Sequence, residues 1–506
     1  MEKIRNSSST MSVKKATIIN GAGRYVNIIF TLAVNVVLSR LLTPEEYGIV
    51  AVVTIFTTFF SIFADMGFGS AYIENRDLTT KDRDSLFSFM CYIGIGLFLL
   101  FFGVSYFIAW FYKSTVYIYI SWLLGFNLFL TSAKAIPLSD LQKQYKFATV
   151  SIVQVISSVV SSGIAIIMAF YGCSYYSIVA QSLIYTFVNL IVFEVLTKCK
   201  FKFKLDKSVL KKTYKFATGQ LGFSCINYFS RNLDNLLIGS IMGEVSLAYY
   251  DKAYKTSTYP VSNFSSIIGG SIHPVLAKKQ NDIQFVYNQF KKIFCFLFAV
   301  GCYVSVIMYS ASREIILVLY GNQWEASIIP LSFLSLSLAF QMSTNVTGAF
   351  FQVLNKTKLW AIQGLITTSV LIVGISIGAA FGSINSVSIG YLIGEAFVFA
   401  TIIFILRKYL FKVSFKEIWK ELIKYSIIFV ILFLEMFIWN KYINISNIWL
   451  SLFAKIGLSL ISYLVLVFLF RAQNTILCVV PKRKEKKEKE PLSDSAFIDE
   501  KTDKAE

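Results

Sequence analysis

Apolar residues form long runs along most of this chain, and polar residues are confined to short stretches between the runs. A run of about 20 apolar residues can cross the hydrocarbon core of a bilayer as one α-helix. The pattern predicts about fourteen such spans: 16–38, 47–69, 86–111, 116–137, 148–170, 174–196, 216–240, 246–270, 292–311, 327–350, 359–380, 386–406, 423–441 and 447–470. The predicted fold class is therefore an all-α polytopic membrane protein.

Composition agrees with this pattern, since 56% of the 506 residues are hydrophobic and only 15% are charged. The formal net charge of +19 would also fit a nucleic-acid partner, but the positions of the basic residues exclude that interpretation. With the N-terminus inside, 38 of the 48 Lys and Arg residues lie in inner segments, four in outer loops and six within spans. This positive-inside asymmetry predicts that both termini are cytoplasmic.

Changes in polarity divide the chain into six parts. A short cytoplasmic segment (1–15) precedes a first group of six spans (16–196), and a basic linker (197–215) precedes a second group of six (216–406). The region 407–470 holds a basic stretch and two further spans, and 471–506 is a charged tail expected to be disordered. The linker is amphipathic and is expected to lie along anionic lipid headgroups.

The second group of spans repeats features of the first at an offset of 200 residues. Asn27 corresponds to Asn227 and Asn35 to Asn235, and LSRLLTPEEYG aligns with IGSIMGEVSLA. A helix pair with a later copy is typical of two-lobed transporters.

The turn between the first two spans contains Thr43, Pro44, Glu45 and Glu46. Thr can cap a helix, Pro suits its first position, and acidic residues favour its N-terminus. We therefore expect a capped helix start here rather than a catalytic carboxylate pair.

Spans 216–240 and 246–270 carry charged side chains at membrane depth, where charges are costly and usually face a protein interior or a substrate path. Arg231 and Asp234 are three residues apart, and Asp251 and Lys255 are four apart, so each pair can meet on one helix face. One interpretation is that these are internal ion pairs. Lys252 has no acidic partner on its own face, so the other interpretation is a cavity with surplus positive charge that binds an anion.

Three further spans carry ionisable residues. Arg24, in the first span, either faces the cavity or extends to the cytoplasmic headgroups. Glu395 is a candidate site for a coupling proton or sodium ion, and Glu435 and Lys455 are expected to form an interhelical pair. No metal-ligand spacing or cofactor motif occurs, so we expect no cofactor beyond such a coupling ion.

Three stretches resemble a known family: NGAGRYVNIIFTLAVNVVLSRLLTPEEYGIVAVV (20–53), FADMGFGSAYIENRDLT (63–79) and SRNLDNLLIGSIMGEVSLAYYDKAYK (230–255). They are similar to bacterial polysaccharide transporters, the Wzx-type flippases, within a superfamily that also contains multidrug exporters and the lipid II flippase. The resemblance covers most of the chain and is closest to exporters of the colanic-acid and teichuronic-acid type. It implies two six-helix bundles around a central cavity, with two extra helices at the end.

The resemblance also implies a function. A flippase of this family would move undecaprenyl-pyrophosphate-linked oligosaccharide across the bacterial plasma membrane by alternating access, in concert with a polymerase and glycosyltransferases. Arg24, Arg231, Lys252 and Lys255 are then the candidates for binding the pyrophosphate or acidic sugars. Asp234, Asp251, Asn27 and Asn227 are the candidate supporting residues.

Rival functions remain open at this point. A multidrug exporter of the same superfamily would favour acidic cavity residues, whereas here the acids of the two central spans are matched or outnumbered. A membrane-embedded polysaccharide polymerase or glycosyltransferase would need a sizeable polar catalytic segment, and every predicted outer loop is short. A scaffold would not explain the charges within the spans.

Overall fold

The structure is a computed structural model that describes residues 30–75, 77–203, 205–277 and 282–473. These residues form helices and contain no β-strand. The α-helices, in chain order, are α1 Phe30–Leu41, α2 Pro44–Asp65, α3 Phe68–Glu74, α4 Thr80–Tyr112, α5 Val116–Lys143, α6 Phe147–Phe170, α7 Tyr176–Thr197, α8 Lys207–Ala277, α9 Ile283–Ser310, α10 Ser312–Leu319, α11 Ile328–Leu336, α12 Leu338–Thr344, α13 Thr347–Val353, α14 Thr357–Ala380, α15 Ile384–Ile405, α16 Lys416–Tyr442 and α17 Ile448–Leu469. A 3-10 helix covers Asn322–Ser327 and a π-helix covers Leu406–Phe411.

Ten helices within the described ranges are long and apolar enough to cross a membrane. The number rises to eleven if the bent pair Asn322–Leu336 and Leu338–Val353, which meet at 50°, forms one span. The chain is therefore an all-α polytopic membrane protein, as the hydrophobic pattern predicts. The number of fourteen spans stays a prediction, because α8 and α1 do not enter this count.

α8 is a hairpin of two helical arms. At Gly243 the backbone leaves the helical region, with φ 84° and ψ 177°, a conformation that glycine adopts without a steric penalty. The Tyr250 hydroxyl donates a hydrogen bond of 3.2 Å to Asp234 Oδ2, although sixteen residues of continuous helix would span about 24 Å. The arms therefore run antiparallel and correspond to the predicted spans 216–240 and 246–270.

The start of α2 confirms the predicted cap. The Thr43 hydroxyl accepts a hydrogen bond from the Glu46 N–H at 3.3 Å, and the Glu46 carboxylate accepts one from the Thr43 N–H at 2.8 Å. Pro44 is the first helical residue. This reciprocal pair satisfies two backbone donors that the helix itself cannot use. Glu46 thus has a structural role here.

We call α1–α7 the first lobe and α8–α15 the second lobe. A buried ionic cluster joins elements of the first lobe at the side predicted to face the cytoplasm. The Arg83 guanidinium contacts Asp84 at 2.9 Å and Asp140 at 3.1 Å, and it donates to the Thr197 carbonyl at 3.0 Å. Tyr72 donates its hydroxyl to Asp140 at 3.0 Å. The cluster holds the first turn of α4 against the ends of α5 and α7.

The linker after α7 is hydrogen-bonded to the first turns of α4. The Lys202 N–H donates to Ser88 Oγ at 2.7 Å, and the Asp206 N–H donates to Ser85 Oγ at 2.9 Å. Phe203, between them, is exposed. The linker backbone is thus fixed to α4, while its predicted contact with headgroups stays a prediction.

α16 and α17 pack against the second lobe as two additional helices. The Tyr463 hydroxyl donates to the Ala299 carbonyl at 3.0 Å, which joins α17 to α9. The expected pair of Glu435 with Lys455 is wrong. Lys455 instead forms a buried ion pair of 2.6 Å with Glu314, because α17 also packs against α10. Glu435 accepts a hydrogen bond of 2.7 Å from Ser462.

Candidate functional site

A cavity of about 740 Å³ lies between the first lobe and the two arms of α8. The first lobe contributes residues of α1, α2, α5, α6 and α7, and both arms of α8 contribute the rest. Many of its lining residues, such as Thr54, Thr57, Asn127 and Ser158, come from the middle of apolar helices long enough to span a membrane, so the cavity lies at membrane depth. The volume is within the range of about 300–1,000 Å³ that small-molecule sites occupy.

The wall of the cavity is polar, and most of its polar groups are uncharged. Fourteen of the lining residues are Ser, Thr, Asn or Gln: Thr31, Asn35, Thr54, Thr57, Thr58, Ser61, Asn127, Thr131, Ser158, Ser161, Gln181, Ser182, Asn232 and Asn235. Tyr47, Tyr185 and Tyr254 add phenol rings. Such side chains donate and accept hydrogen bonds without carrying charge. The wall can therefore solvate a hydrated polar molecule inside the membrane.

Among the described lining residues, the charged side chains are Asp251 and Lys255. They form an ion pair of 2.6 Å between successive turns of α8. Lys255 is the more exposed partner, with 63% of its side chain accessible against 17% for Asp251. The spacing predicted this pairing. The described lining therefore carries no surplus positive charge, although Lys255 remains accessible to an anion.

Lys252 does not lie among the described lining residues of the cavity. Its side chain is buried, and the Nζ atom lies 3.9 Å from the ring centroid of Tyr47 and 4.8 Å from those of Tyr320 and Trp324. Rings at these distances stabilise a cation through their negative faces. We call Tyr47, Tyr320 and Trp324 the Lys252 cage. Because Lys252 follows Asp251 directly, it points about 100° away from Asp251 around the helix.

The cage is part of a closure between the lobes on the side predicted to face outward. The Trp324 indole N–H donates to the Ser39 carbonyl at 2.8 Å, and the Gln323 amide donates to the Leu42 carbonyl at 2.9 Å. Ser39 lies in the last turn of α1, and Leu42 lies between α1 and α2. Gln323 and Trp324 lie in the 3-10 helix that follows α10. These bonds span more than 280 residues of sequence and join the two lobes.

A second contact between the lobes lies at the turn of the α8 hairpin. Gly48 of α2 packs so closely on Glu244 that a Cβ atom on Gly48 would be 2.3 Å from the Glu244 carbonyl oxygen. The Tyr117 hydroxyl donates to the Glu244 carboxylate. Because Gly48 has no side chain, the backbones of α2 and α8 can approach each other here. The contacts of Gly48 and Tyr117 with Glu244 help to close the cavity on the predicted outer side.

Other predicted site residues lie apart from the cavity or beyond what is described. Asp234 is buried and accepts hydrogen bonds from the Tyr250 hydroxyl and from the Asn235 backbone N–H. Arg231 and Asn227 belong to the first arm of α8, but their side chains are not among those described. Arg24 and Asn27 lie outside the described residues. Their contribution to anion binding stays a prediction.

Glu395 is buried in α15 and does not line the cavity within the described residues. The neighbouring Tyr391 contacts Tyr254 edge-on, with 5.7 Å between ring centroids. Tyr391 therefore lies behind Tyr254, a residue of the cavity lining. The proposed role of Glu395 in ion coupling stays a prediction.

The chain is similar in sequence to proteins of bacterial polysaccharide biosynthesis. A family model described as polysaccharide biosynthesis protein matches residues 37–329, more than half of the chain. The teichuronic acid biosynthesis protein TuaB of Bacillus subtilis is 27% identical over 353 residues, which cover 68% of this chain and 70% of TuaB. The succinoglycan biosynthesis transport protein ExoT of Rhizobium meliloti is 20% identical over 60% of this chain and 61% of ExoT.

A solved structure shows the same fold. The lipid II flippase MurJ, in an inward closed conformation, superposes with a TM-score of 0.71 at 16% sequence identity. The match covers 90% of this chain and 99% of MurJ.

Proposed function

Because the chain belongs to the polysaccharide biosynthesis protein family, we propose that it translocates lipid-linked oligosaccharide units across the bacterial plasma membrane. The substrate would be an oligosaccharide repeat unit on undecaprenyl pyrophosphate, destined for capsule, exopolysaccharide, O-antigen or teichuronic acid. The protein would act as a flippase by alternating access and would not catalyse a covalent reaction.

One observation carries this proposal: a polar cavity of about 740 Å³ lies at membrane depth between two lobes. The glycan and pyrophosphate of such a substrate cannot enter hydrocarbon, whereas its polyprenyl chain can remain there. A polar cavity between two lobes supplies the missing solvation. Opening of the closure at Trp324 and Gly48 would release the glycan outward, with the lobes rocking about the cavity.

The orientation and the partners also belong to the proposal. The positive-inside distribution supports cytoplasmic termini, so the closure would face the outside of the cell. Glycosyltransferases would supply the lipid-linked unit at the inner face, and a polymerase would consume it at the outer face.

Charge recognition would involve the accessible Lys255 and the predicted residues Arg24 and Arg231. Lys252 would act differently, through the cage that joins the lobes. A multidrug exporter of cationic compounds is less well supported, because Asp251, the acid among the described lining residues, is already paired with Lys255.

The test is export of surface polysaccharide in a strain whose own gene for this protein has been deleted. The wild-type chain should restore export, and the deletion strain should accumulate the lipid-linked unit at the inner leaflet. Thr58→Trp should strongly reduce restoration, because Thr58 is an exposed residue of the cavity lining and the indole would occupy space that the glycan needs. Ile156→Trp, at an exposed position on α6 that is not a lining residue, is the matched control.

Export normalised to membrane-inserted protein separates activity from expression. Normal export by Thr58→Trp, or no lipid-linked unit in the deletion strain, would contradict the proposed function.

A further inference from the structure

Two asparagines related by the internal repeat line the same cavity. Asn35 lies on α1 and Asn235 on the first arm of α8, and both line the cavity. The 200-residue offset that aligns their sequences therefore also aligns their positions, one in each lobe. Each lobe thus presents an amide group to the same space.

The two amides are held in different ways. Asn35 Nδ2 donates to the Thr31 carbonyl at 2.9 Å, which fixes the side chain along α1. Asn235 is buried, with 8% of its surface accessible, and its Oδ1 has no hydrogen-bond partner within the described structure. A buried polar atom without a partner costs free energy unless water or a ligand satisfies it.

A second unpartnered acceptor lies in the same wall. Asn127 Nδ2 donates to Ser182 Oγ at 2.9 Å, and both residues line the cavity. The Asn127 Oδ1 atom is buried and has no partner within the described structure. Two amide oxygens of the wall, Asn127 Oδ1 and Asn235 Oδ1, therefore lack a donor.

The hydrogen-bonding properties of these two oxygen atoms indicate which part of the substrate they can bind. A carbonyl oxygen accepts hydrogen bonds, so its partner must donate one. Sugar hydroxyls and the N–H of an N-acetyl group are donors, whereas the oxygens of an ionised pyrophosphate only accept. The uncharged hydroxyl groups around the asparagines add further donors and acceptors for a sugar ring.

We propose that Asn35, Asn127 and Asn235 form a binding site for the sugar rings of the substrate, separate from the groups that bind its pyrophosphate. This inference rests on the proposed function and refines it. The glycan would contact an amide of each lobe, while Lys255 remains available to the anionic end.

The probe for this site is the free repeat-unit oligosaccharide. It is released by mild acid from the lipid-linked unit that the deletion strain accumulates, so it carries neither lipid nor pyrophosphate. Binding to the purified full-length protein in nanodiscs is measured by calorimetry, and inorganic pyrophosphate serves as the second probe. The variants are Asn235→Leu and Asn35→Leu. Because Asn35 is only half-buried, its substitution should disturb the fold less.

Asn189→Leu is the matched control. Asn189 is a buried asparagine of α7 whose Oδ1 also lacks a described partner, but it does not line the cavity. We expect Asn235→Leu and Asn35→Leu each to weaken oligosaccharide binding about fivefold or more, the loss of roughly one net hydrogen bond. Pyrophosphate binding should not change, and Asn189→Leu should bind both probes as the wild type does.

The outcomes separate the two proposals. Absence of a lipid-linked unit in the deletion strain would overturn the proposed function itself. If that unit accumulates, the sugar site is overturned by any of three results: no oligosaccharide binding to the wild type, unchanged binding to both cavity variants, or equal weakening by Asn189→Leu.

Discussion

The Nζ atom of Lys252 lies 3.9 Å from the ring centroid of Tyr47, a residue of the opposite lobe. The lysine belongs to α8 and the tyrosine to α2, so this cation–π contact spans the closure. Separation of the lobes would remove one ring from the cation while leaving Tyr320 and Trp324 in place. The contact therefore stabilises the closed arrangement, and it must be broken when the lobes open on this side.

Trp324→Phe should shift the protein toward an arrangement open on the predicted outer side. Phenylalanine keeps a ring in the Lys252 cage but removes the indole N–H that donates to the Ser39 carbonyl. Loss of one such bond costs about 1 kcal/mol, or about fivefold in the open population. The measurement is the rate at which Thr57→Cys, in the cavity, reacts with an impermeant thiol reagent.

Trp449→Phe is the control, because Trp449 is exposed on α17. An unchanged labelling rate in Trp324→Phe would show that this bond does not contribute to the closure.

Gly48→Ala should impair export without unfolding the protein. The added methyl would lie 2.3 Å from the Glu244 carbonyl oxygen, so the lobes could not close fully at this point. Gly163→Ala, on α6, adds the same methyl where no atom lies within 4 Å. Export per inserted protein should fall several-fold for the first variant and stay normal for the second. Equal export by both would mean that the close approach of Gly48 to Glu244 is not needed for transport.

Lys455→Met should destabilise the protein strongly. Lys455 and Glu314 have side chains only 8% and 7% accessible, so the variant leaves a buried carboxylate unpaired. Breaking a buried pair from one side costs about 3–5 kcal/mol. The melting temperature in detergent should fall, and the double variant Lys455→Met with Glu314→Gln should recover most of it.

The exposed pair of Lys291 with Glu417 provides the comparison, since 74% of the Glu417 side chain is accessible. Glu417→Gln should change the melting temperature little, because ion pairs at the surface contribute little to stability. If Glu417→Gln lowered the melting temperature more than Lys455→Met, the buried pair of Lys455 with Glu314 would not be the more stabilising of the two.

The orientation can be tested with two equally exposed positions. Tyr171, after α6, is 85% accessible and lies on the predicted outer side, whereas Phe203, after α7, is 87% accessible and lies on the predicted inner side. In a background without native cysteines, Tyr171→Cys should react with an impermeant reagent on intact cells. Phe203→Cys should react only after the cells are opened. The reverse pattern would invert the proposed topology.

Glu395→Gln should remove coupling to a proton or sodium gradient and leave substrate binding intact, if Glu395 is the coupling site. The assay is transport by reconstituted vesicles with and without an imposed gradient. Glu435→Gln, at the partly buried acid bonded to Ser462, is the control. Gradient-driven transport that persists in Glu395→Gln would exclude this residue.

The sequence predicts those features that depend on neighbours along one helix. The cap at Thr43, the ion pair of Asp251 with Lys255 and the hairpin around Gly243 all follow from local spacing and turn chemistry. The sequence also shows the repeat of Asn35 at Asn235, but the candidates chosen from that repeat are Asn27 and Asn227. That Asn35 and Asn235 line the cavity was missed.

Contacts between distant helices could not be predicted in the same way. Lys455 pairs with Glu314 rather than Glu435, because spacing within one helix does not determine which neighbouring helix a side chain faces. The Lys252 cage combines residues 47, 252, 320 and 324, and no spacing rule relates them. A lysine without an acidic partner suggested anion binding, whereas three aromatic rings surround it.

The internal pairing of Asp251 with Lys255 has an electrical consequence. The two opposite charges move together, so an empty cavity that returns inward carries no net charge from its described residues across the membrane. In the loaded step, the pyrophosphate adds negative charge to this neutral pair. An inside-negative potential drives an anion outward, by about 2.3 kcal/mol per elementary charge for each 100 mV. With only the described cavity residues counted, membrane voltage would therefore accelerate the outward step and have little effect on the return step.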